Sequence, residues 1–189
     1  MKKYRVVIVG LGRAGSTLDE EMNDGLPHSI AGACAASDRL ECVAGADIDP
    51  SRVEGFKNRW GINSTYQNYK EMIENENPDI VAVCTTATGL AKPAKEAPSR
   101  DYTEDSHAEV SAFAASYGIP MVYSEKAMAC SMVKADEVKQ ACDQHGTVFN
   151  TGVLRRFSAP FQLSRKLIVE GEIGEPVATV HYASSDLLH

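Results

Sequence analysis

The sequence predicts a doubly wound α/β fold, a parallel sheet covered by helices on both faces, followed by the beginning of a second α/β domain. Three observations carry this. Short β-branched runs alternate with helical patterns along most of the chain, the rhythm of βαβ units. Two of those runs, Val6-Val7-Ile8-Val9 and Ile80-Val81-Ala82-Val83-Cys84, are apolar at every position. A central parallel strand is buried on both faces, so its sequence is continuously apolar rather than alternating. The first run passes directly into Gly10-Leu11-Gly12-Arg13-Ala14-Gly15 and then into a helical pattern. This strand, glycine turn and helix together are the Rossmann arrangement.

Residues 4–9 read as the first strand, ended by Gly10, and residues 13–22 as the helix behind it. Residues 24–39 read as an insertion or a lengthened first helix, and residues 40–46 as the second strand. Pro50, harmless in a first helical turn because its missing N–H has no partner there, opens a helix over residues 50–59. Residues 64–66 make a short third strand and residues 69–76 a helix. Pro78-Asp79 introduces the fourth strand, residues 80–84, which ends at Thr85-Thr86. Residues 89–102, with Pro93, Pro98 and charges in no clean period, read as a surface excursion. A helix over residues 105–117 stops at Gly118-Ile119-Pro120, and Met121-Val122-Tyr123 forms the fifth strand. Ser131 caps and Gly146 terminates a helix over residues 131–145, and residues 147–153 close the series as the sixth strand. After Arg155-Arg156-Phe157 a helix over residues 160–170 and a strand over residues 177–183 open a new pattern. The domains expected are therefore residues 1–153 and the start of another, residues 154–189.

The bulk composition excludes several function classes. With 43% hydrophobic and 24% charged residues the chain is an ordinary packed protein, neither disordered nor a membrane protein. A net charge of -7 with no stripe of Lys and Arg argues against a nucleic-acid partner. The five cysteines are odd in number and lack Cys-x-x-Cys or zinc-like spacing, so reduced thiols and no metal site are expected. The N-terminus enters the first strand without a signal-like segment, and no run approaches transmembrane length. A cytoplasmic protein with no membrane partner is expected.

The chemistry begins at the glycine turn. Gly10 permits the tight bend, Gly12 lets backbone approach a pyrophosphate, and Gly15 lets the helix pack against the strand. The amides of Leu11, Arg13 and Ala14 lie in the same turn, with the helix dipole behind them. Asp47, followed by Ile48, ends the second strand, where a carboxylate accepts hydrogen bonds from the adenosine ribose hydroxyls. Asp38 fits the usual spacing from the glycines better but follows no strand, and Asp47 has the alternative reading of an acid at the start of the helix opened by Pro50. A carboxylate repels a 2′-phosphate, which favours NAD, while Arg52 and Arg59 nearby leave NADP open. Glu125-Lys126 follows the fifth strand at the sheet edge where ligands bind. A lysine there can polarise a carbonyl or pass a proton to an alkoxide, and it has the alternative of being merely solvated.

Together these residues resemble the Gfo/Idh/MocA oxidoreductases over nearly the whole chain. The resemblance rests on Val7-Ile8-Val9-Gly10-Leu11-Gly12-Arg13-Ala14-Gly15, Ala46-Asp47, Val81-Ala82-Val83-Cys84-Thr85-Thr86, Ser124-Glu125-Lys126 and Gly171-Glu172-Ile173-Gly174-Glu175-Pro176. It implies an NAD(P)-dependent dehydrogenase that moves hydride between nicotinamide and a hydroxyl or carbonyl carbon of a sugar, polyol or related small molecule. It also implies a homo-oligomer built through a second domain with an open sheet. By position, Lys126 matches the lysine that contacts nicotinamide and substrate, and Glu125 helps to order it. Thr85 and Thr86 match the turn beside the cofactor, while His107 and Arg156 match positions on the substrate side. Ala127 stands where the family has proline. Family members are nearly twice as long and supply an acid/base histidine from the second domain, so a truncated form is expected, and His189 is not assigned that role. A non-catalytic dinucleotide sensor or regulatory protein is the alternative function.

Overall fold

A computed structural model of the chain describes residues 2–86 and 105–180. The chain divides into two compact units, Met1–Gly152 and Val153–His189. Among its described residues the first contains six strands: β1 (Tyr4–Val9), β2 (Leu40–Ala46), β3 (Thr65–Tyr66), β4 (Ile80–Val83), β5 (Met121–Ser124) and β6 (Val148–Thr151). They form one sheet in the order β3-β2-β1-β4-β5-β6, and each neighbouring pair is parallel. This is the doubly wound fold expected, with the strand order reversing between β1 and β4.

The reason is legible along β1. Val7 and Val9 pack into one core with Met72, Ile73, Val81, Val83, Val110 and Val122. Val6 and Ile8 turn to the opposite face, against Leu11, Ala31, Phe56 and Ala82. Each such side chain stabilises the fold by about 1.5–3 kcal/mol when buried, and a strand spending residues on both faces has no polar side to present.

The helices are α1 (Leu18–Met22), α2 (Ile30–Ala35), α3 (Pro50–Trp60), α4 (Tyr69–Glu76), α5 (Ser106–Ser116) and α6 (Met132–His145). Five open on side-chain caps that satisfy an orphan amide: Ser29 accepts from Gly32 N, Asp49 from Ser51 N, Asn68 from Lys70 N, Asp105 from Ala108 N and Ser131 from Lys134 N. Gly61 and Gly146 end α3 and α6 in left-handed geometry.

In the first unit the expected elements appear with two differences beyond shifts of their end residues. The first helix opens with a π-helical turn, Arg13–Thr17, in which the amides of Ser16 and Thr17 both bond the Gly12 carbonyl, at 2.8 and 3.2 Å. The stretch read as an insertion or a lengthened helix contains a separate helix, α2. It is capped by Ser29 and fastened to α1 by Asp19, whose carboxylate accepts from His28 N at 2.8 Å and Ser29 N at 3.3 Å. The excursion at residues 89–102 lies outside the described residues.

The second unit holds a 3-10 turn, Leu154–Phe157, and α7 (Ala159–Val169). The strand expected at residues 177–183 is absent from residues 177–180, which are irregular, and the rest of it lies outside the described residues. No described helix is long and apolar enough to cross a membrane.

Candidate functional site

The carboxyl ends of all six strands finish in register. Tyr66 pairs with Ala46, Ala46 with Val9, Val9 with Val83, Val83 with Ser124, and Ser124 with Thr151. The next residue of five strands therefore stands in one row: Asp47, Gly10, Cys84, Glu125 and Gly152. Backbone bonds continue the ladder through this row, from Gly10 N to Ala46 O at 2.8 Å, Cys84 N to Val9 O at 2.7 Å, Glu125 N to Val83 O at 2.9 Å and Gly152 N to Ser124 O at 2.8 Å. Sequence-distant candidates thus meet at one edge because parallel pairing fixes their heights.

The three glycines of the turn have different reasons to be glycine. Gly10 has φ +92°, and a Cβ there would lie 2.6 Å from the backbone of Cys84 and Thr85. At Gly15 a Cβ would lie 2.0 Å from the Gly10 carbonyl oxygen. At Gly12 it would meet only the Arg52 guanidinium, at an ordinary 3.7 Å. Packing within the chain forbids side chains at Gly10 and Gly15 but not at Gly12, where the space in front of the backbone is open. An open cradle facing the first amides of a helix, which have no carbonyl behind them, suits a bound diphosphate.

Other members of the turn divide similarly. Leu11 buries its side chain, and its amide donates to Asp47 Oδ2 at 2.8 Å. The Arg13 side chain is drawn into an exposed pair with Glu21, leaving only its backbone at the turn. Ala14 packs against the core beside Leu11. Asp47 is 7% exposed. Its second oxygen accepts from Asp49 N at 3.0 Å, and the Arg52 guanidinium lies 3.6 Å from the first. Each carboxylate oxygen has a further lone pair for a hydroxyl, so Asp47 anchors the turn and retains acceptor capacity. Ile48 beside it is exposed. Arg59 is held by a two-pronged pair to Glu20, at 2.6 and 2.8 Å.

Across the strand reversal, the loops after β4 and β5 carry the remaining candidates. Thr85 is half-buried and Thr86 exposed, and the Ser106 hydroxyl lies 3.0 Å from Thr85 Oγ1 and 2.5 Å from the Thr86 carbonyl oxygen. Glu125 accepts from the Tyr123 hydroxyl at 2.8 Å and from Lys126 N at 3.3 Å. Burial, reinforced by the bond to the Glu125 carboxylate, pushes the Tyr123 hydroxyl well up, so it remains a donor. Gly152 makes room for this pair, since a Cβ there would lie 2.4 Å from the Tyr123 hydroxyl. Lys126 is exposed and ion-paired to none of the described acidic side chains, and the Lys126-Ala127 peptide bond is cis.

His107 is placed differently from the substrate contact that the resemblance implies. It is 1% exposed, with Nδ1 2.6 Å from the Ala127 carbonyl oxygen and Nε2 2.7 Å from the Thr85 carbonyl oxygen. Both ring nitrogens are taken by backbone, which leaves none to meet a substrate. Arg156 lies in the 3-10 turn of the second unit with its side chain exposed. Sequence reasoning missed Asp105, Ser106, Tyr123 and Gly152. Asp105 was legible as a helix cap, but its second oxygen also accepts from Cys130 N, a tertiary contact that no local pattern signals.

A parallel sheet in this order, with a glycine turn at the reversal, defines the nucleotide-binding Rossmann class. The chain belongs to the oxidoreductase family with an NAD-binding Rossmann fold (Gfo/Idh/MocA), whose model matches residues 4–153. Among curated relatives, myo-inositol 2-dehydrogenase of Thermotoga maritima is 22% identical over 175 residues, covering 91% of this chain and 42% of its own length. Inositol 2-dehydrogenase of Salmonella typhimurium is 24% identical over 182 residues, covering 94% of this chain and 46% of its own. Among solved structures, myo-inositol 2-dehydrogenase from Lactobacillus plantarum matches with a TM-score of 0.69 and 26% identity, over 92% of this chain and 43% of that one. Scyllo-inositol dehydrogenase from Lactobacillus casei, solved with NAD(H) and scyllo-inositol, has a similar fold, with a TM-score of 0.70 at 20% identity over 92% of this chain and 43% of that one. The chain spans less than half the length of these relatives.

Proposed function

We propose that this chain forms the cofactor-binding part of an NAD-dependent dehydrogenase acting on a secondary hydroxyl, or the corresponding carbonyl, of a polyol or sugar, with an inositol as the first substrate to try. The observation that carries the reading is the open face of Gly12 between two glycines that packing requires. Backbone amides of the turn, Arg13 and Ala14 foremost, hold the diphosphate, while Gly10, Leu11 and Gly15 shape the bend and Asp47 with Ile48 flanks the adenosine ribose. Thr85, Thr86 and Glu125 line the opposite half of the crevice, where the nicotinamide end falls in a sheet of this order. The bound cofactor supplies or accepts the hydride. Lys126 presents an ammonium to the reacting oxygen, polarising it as a carbonyl and exchanging a proton with it as a hydroxyl.

Titration with NADH, followed by nicotinamide fluorescence, tests the reading. Saturable binding is expected, and a folded sample without it overturns the proposal. NAD is preferred over NADP because the Asp47 carboxylate repels a 2′-phosphate and Arg59 is committed to Glu20. NADH is expected to bind at least about tenfold tighter than NADPH, and Asp47→Ser to narrow that gap. Residues 154–189 are part of the same proposal as the start of a substrate and oligomerisation domain, with Arg156 on its substrate side. Exposure of Leu154, Phe157 and Leu163 supports self-association through it, which size-exclusion chromatography checks. The free cysteines support a cytoplasmic setting.

A further inference from the structure

Beyond the row formed by Gly10, Cys84, Glu125 and Gly152, no ladder hydrogen bond among the described residues ties the loop after β4 to the loop after β5. Both loops carry the proposed nicotinamide-side groups, so something else must set their separation. Three consecutive residues at the start of α5 do this. The His107 ring spans from the Thr85 carbonyl at 2.7 Å to the Ala127 carbonyl at 2.6 Å. Ser106 adds the contacts to Thr85 and Thr86, and Asp105, fully buried, takes Cys130 N with one oxygen while capping Ala108 N with the other. The imidazole is the rigid member, because its two nitrogens are a fixed distance apart. Both carbonyls accept, so a ring with one N–H bonds one of them and faces the other, and a ring with both N–H groups bonds the two together.

We infer that His107 is a positioning residue, a carbonyl-to-carbonyl clamp that fixes Lys126 relative to Thr85 and so shapes the nicotinamide half of the crevice without touching the substrate. This rests on the proposed dinucleotide site and deepens it. It predicts a division of labour in which the glycine turn and Asp47 bind the ADP-ribose half and His107 acts only on the other half.

The test compares NADH with ADP-ribose, which lacks nicotinamide, by titration against the full chain and its His107→Ala and His107→Gln variants, with thermal melts to verify folding. Alanine removes both contacts and glutamine keeps one donor. NADH affinity is expected to fall about tenfold in His107→Ala and by less in His107→Gln, with ADP-ribose affinity unchanged within about twofold in both. Equal weakening of both ligands, or no weakening of NADH in a folded variant, overturns the clamp. Should His107→Ala fail to fold, the NADH to ADP-ribose ratio of His107→Gln decides by the same criterion. Wild-type protein that binds neither ligand overturns the dinucleotide reading itself, whereas wild-type binding with an indifferent His107 overturns only the clamp.

Discussion

At Gly15 an added methyl would sit 2.0 Å from a backbone oxygen that cannot move aside, while at Gly12 it would sit in open space 3.7 Å from the end of a flexible arginine. The pattern Gly-x-Gly-x-x-Gly gives both glycines the same weight in sequence, yet their energetics differ. Gly15→Ala is expected to lower stability by about 1–3 kcal/mol or more, because overpacking against backbone forces the strand and helix apart. Gly12→Ala is expected to stay within about 0.5 kcal/mol of wild type in urea unfolding and to weaken NADH at least about tenfold. A Gly12→Ala protein that binds NADH normally removes the main support for the diphosphate site. Lys126→Ala makes a complementary test. With no ion pair to a described residue to lose, it should leave stability little changed, weaken NADH by no more than the roughly tenfold expected of His107→Ala, and abolish turnover of an inositol by protein that has it. Protein extended to the length of these relatives that binds NADH but oxidises no polyol instead favours the sensor reading. The glycines, Asp47 and Lys126 were legible because their positions follow from strand ends. Tyr123, Gly152 and Asp105 were not, because what matters about them is which distant loop they touch.

Elements whose limits depend on local signals were readable from the chain. β2 and α4 begin and end where the sequence places them, as a run of mostly small and apolar residues bounded by polar turns and as a helix entered through Asn68. α6 shows the same logic, opening at Ser131 and closing at Gly146. Ser131→Ala is expected to cost about 1 kcal/mol by stranding the Lys134 amide, with NADH affinity unchanged, since the cap lies on a helix whose buried face, Val138, Ala141 and Cys142, packs against the core. Urea unfolding with a parallel titration checks both halves of that statement. α2 escaped sequence reading for a physical reason. It is six residues long, too short to form alone, and it depends on Asp19 holding its entry and on Gly32, where a Cβ would meet the Asp19 carboxylate at 2.3 Å. The missing strand at residues 177–180 makes the converse point. A β-branched run becomes a strand only when another backbone takes its amides and carbonyls, and periodicity alone says nothing of that partner.

For the molecule as a whole, the strand ends that align across six strands make the crevice a joint property of both halves of the first unit. The diphosphate turn belongs to β1, the ribose acid to β2, and the proposed nicotinamide side to β4 and β5, all fastened by one continuous ladder. A ligand bound there must be released before the sheet comes apart, so its binding energy adds to global stability by mass action. At a hundredfold excess over the dissociation constant this amounts to about 2.7 kcal/mol. For a unit of this size each kcal/mol is worth roughly 2–4 °C, so saturating NADH should raise the melting temperature of the first unit by roughly 5–11 °C. ADP-ribose should supply much of that shift, because the turn and Asp47 grip its half of the molecule, and Gly12→Ala should reduce the shift from both ligands together. His107→Ala should reduce the NADH shift alone, since it leaves the β1 and β2 side intact. A melting temperature that ignores saturating NADH and ADP-ribose alike would mean that nothing bridges the two halves of the sheet at their carboxyl ends, and the proposed site would fall with it.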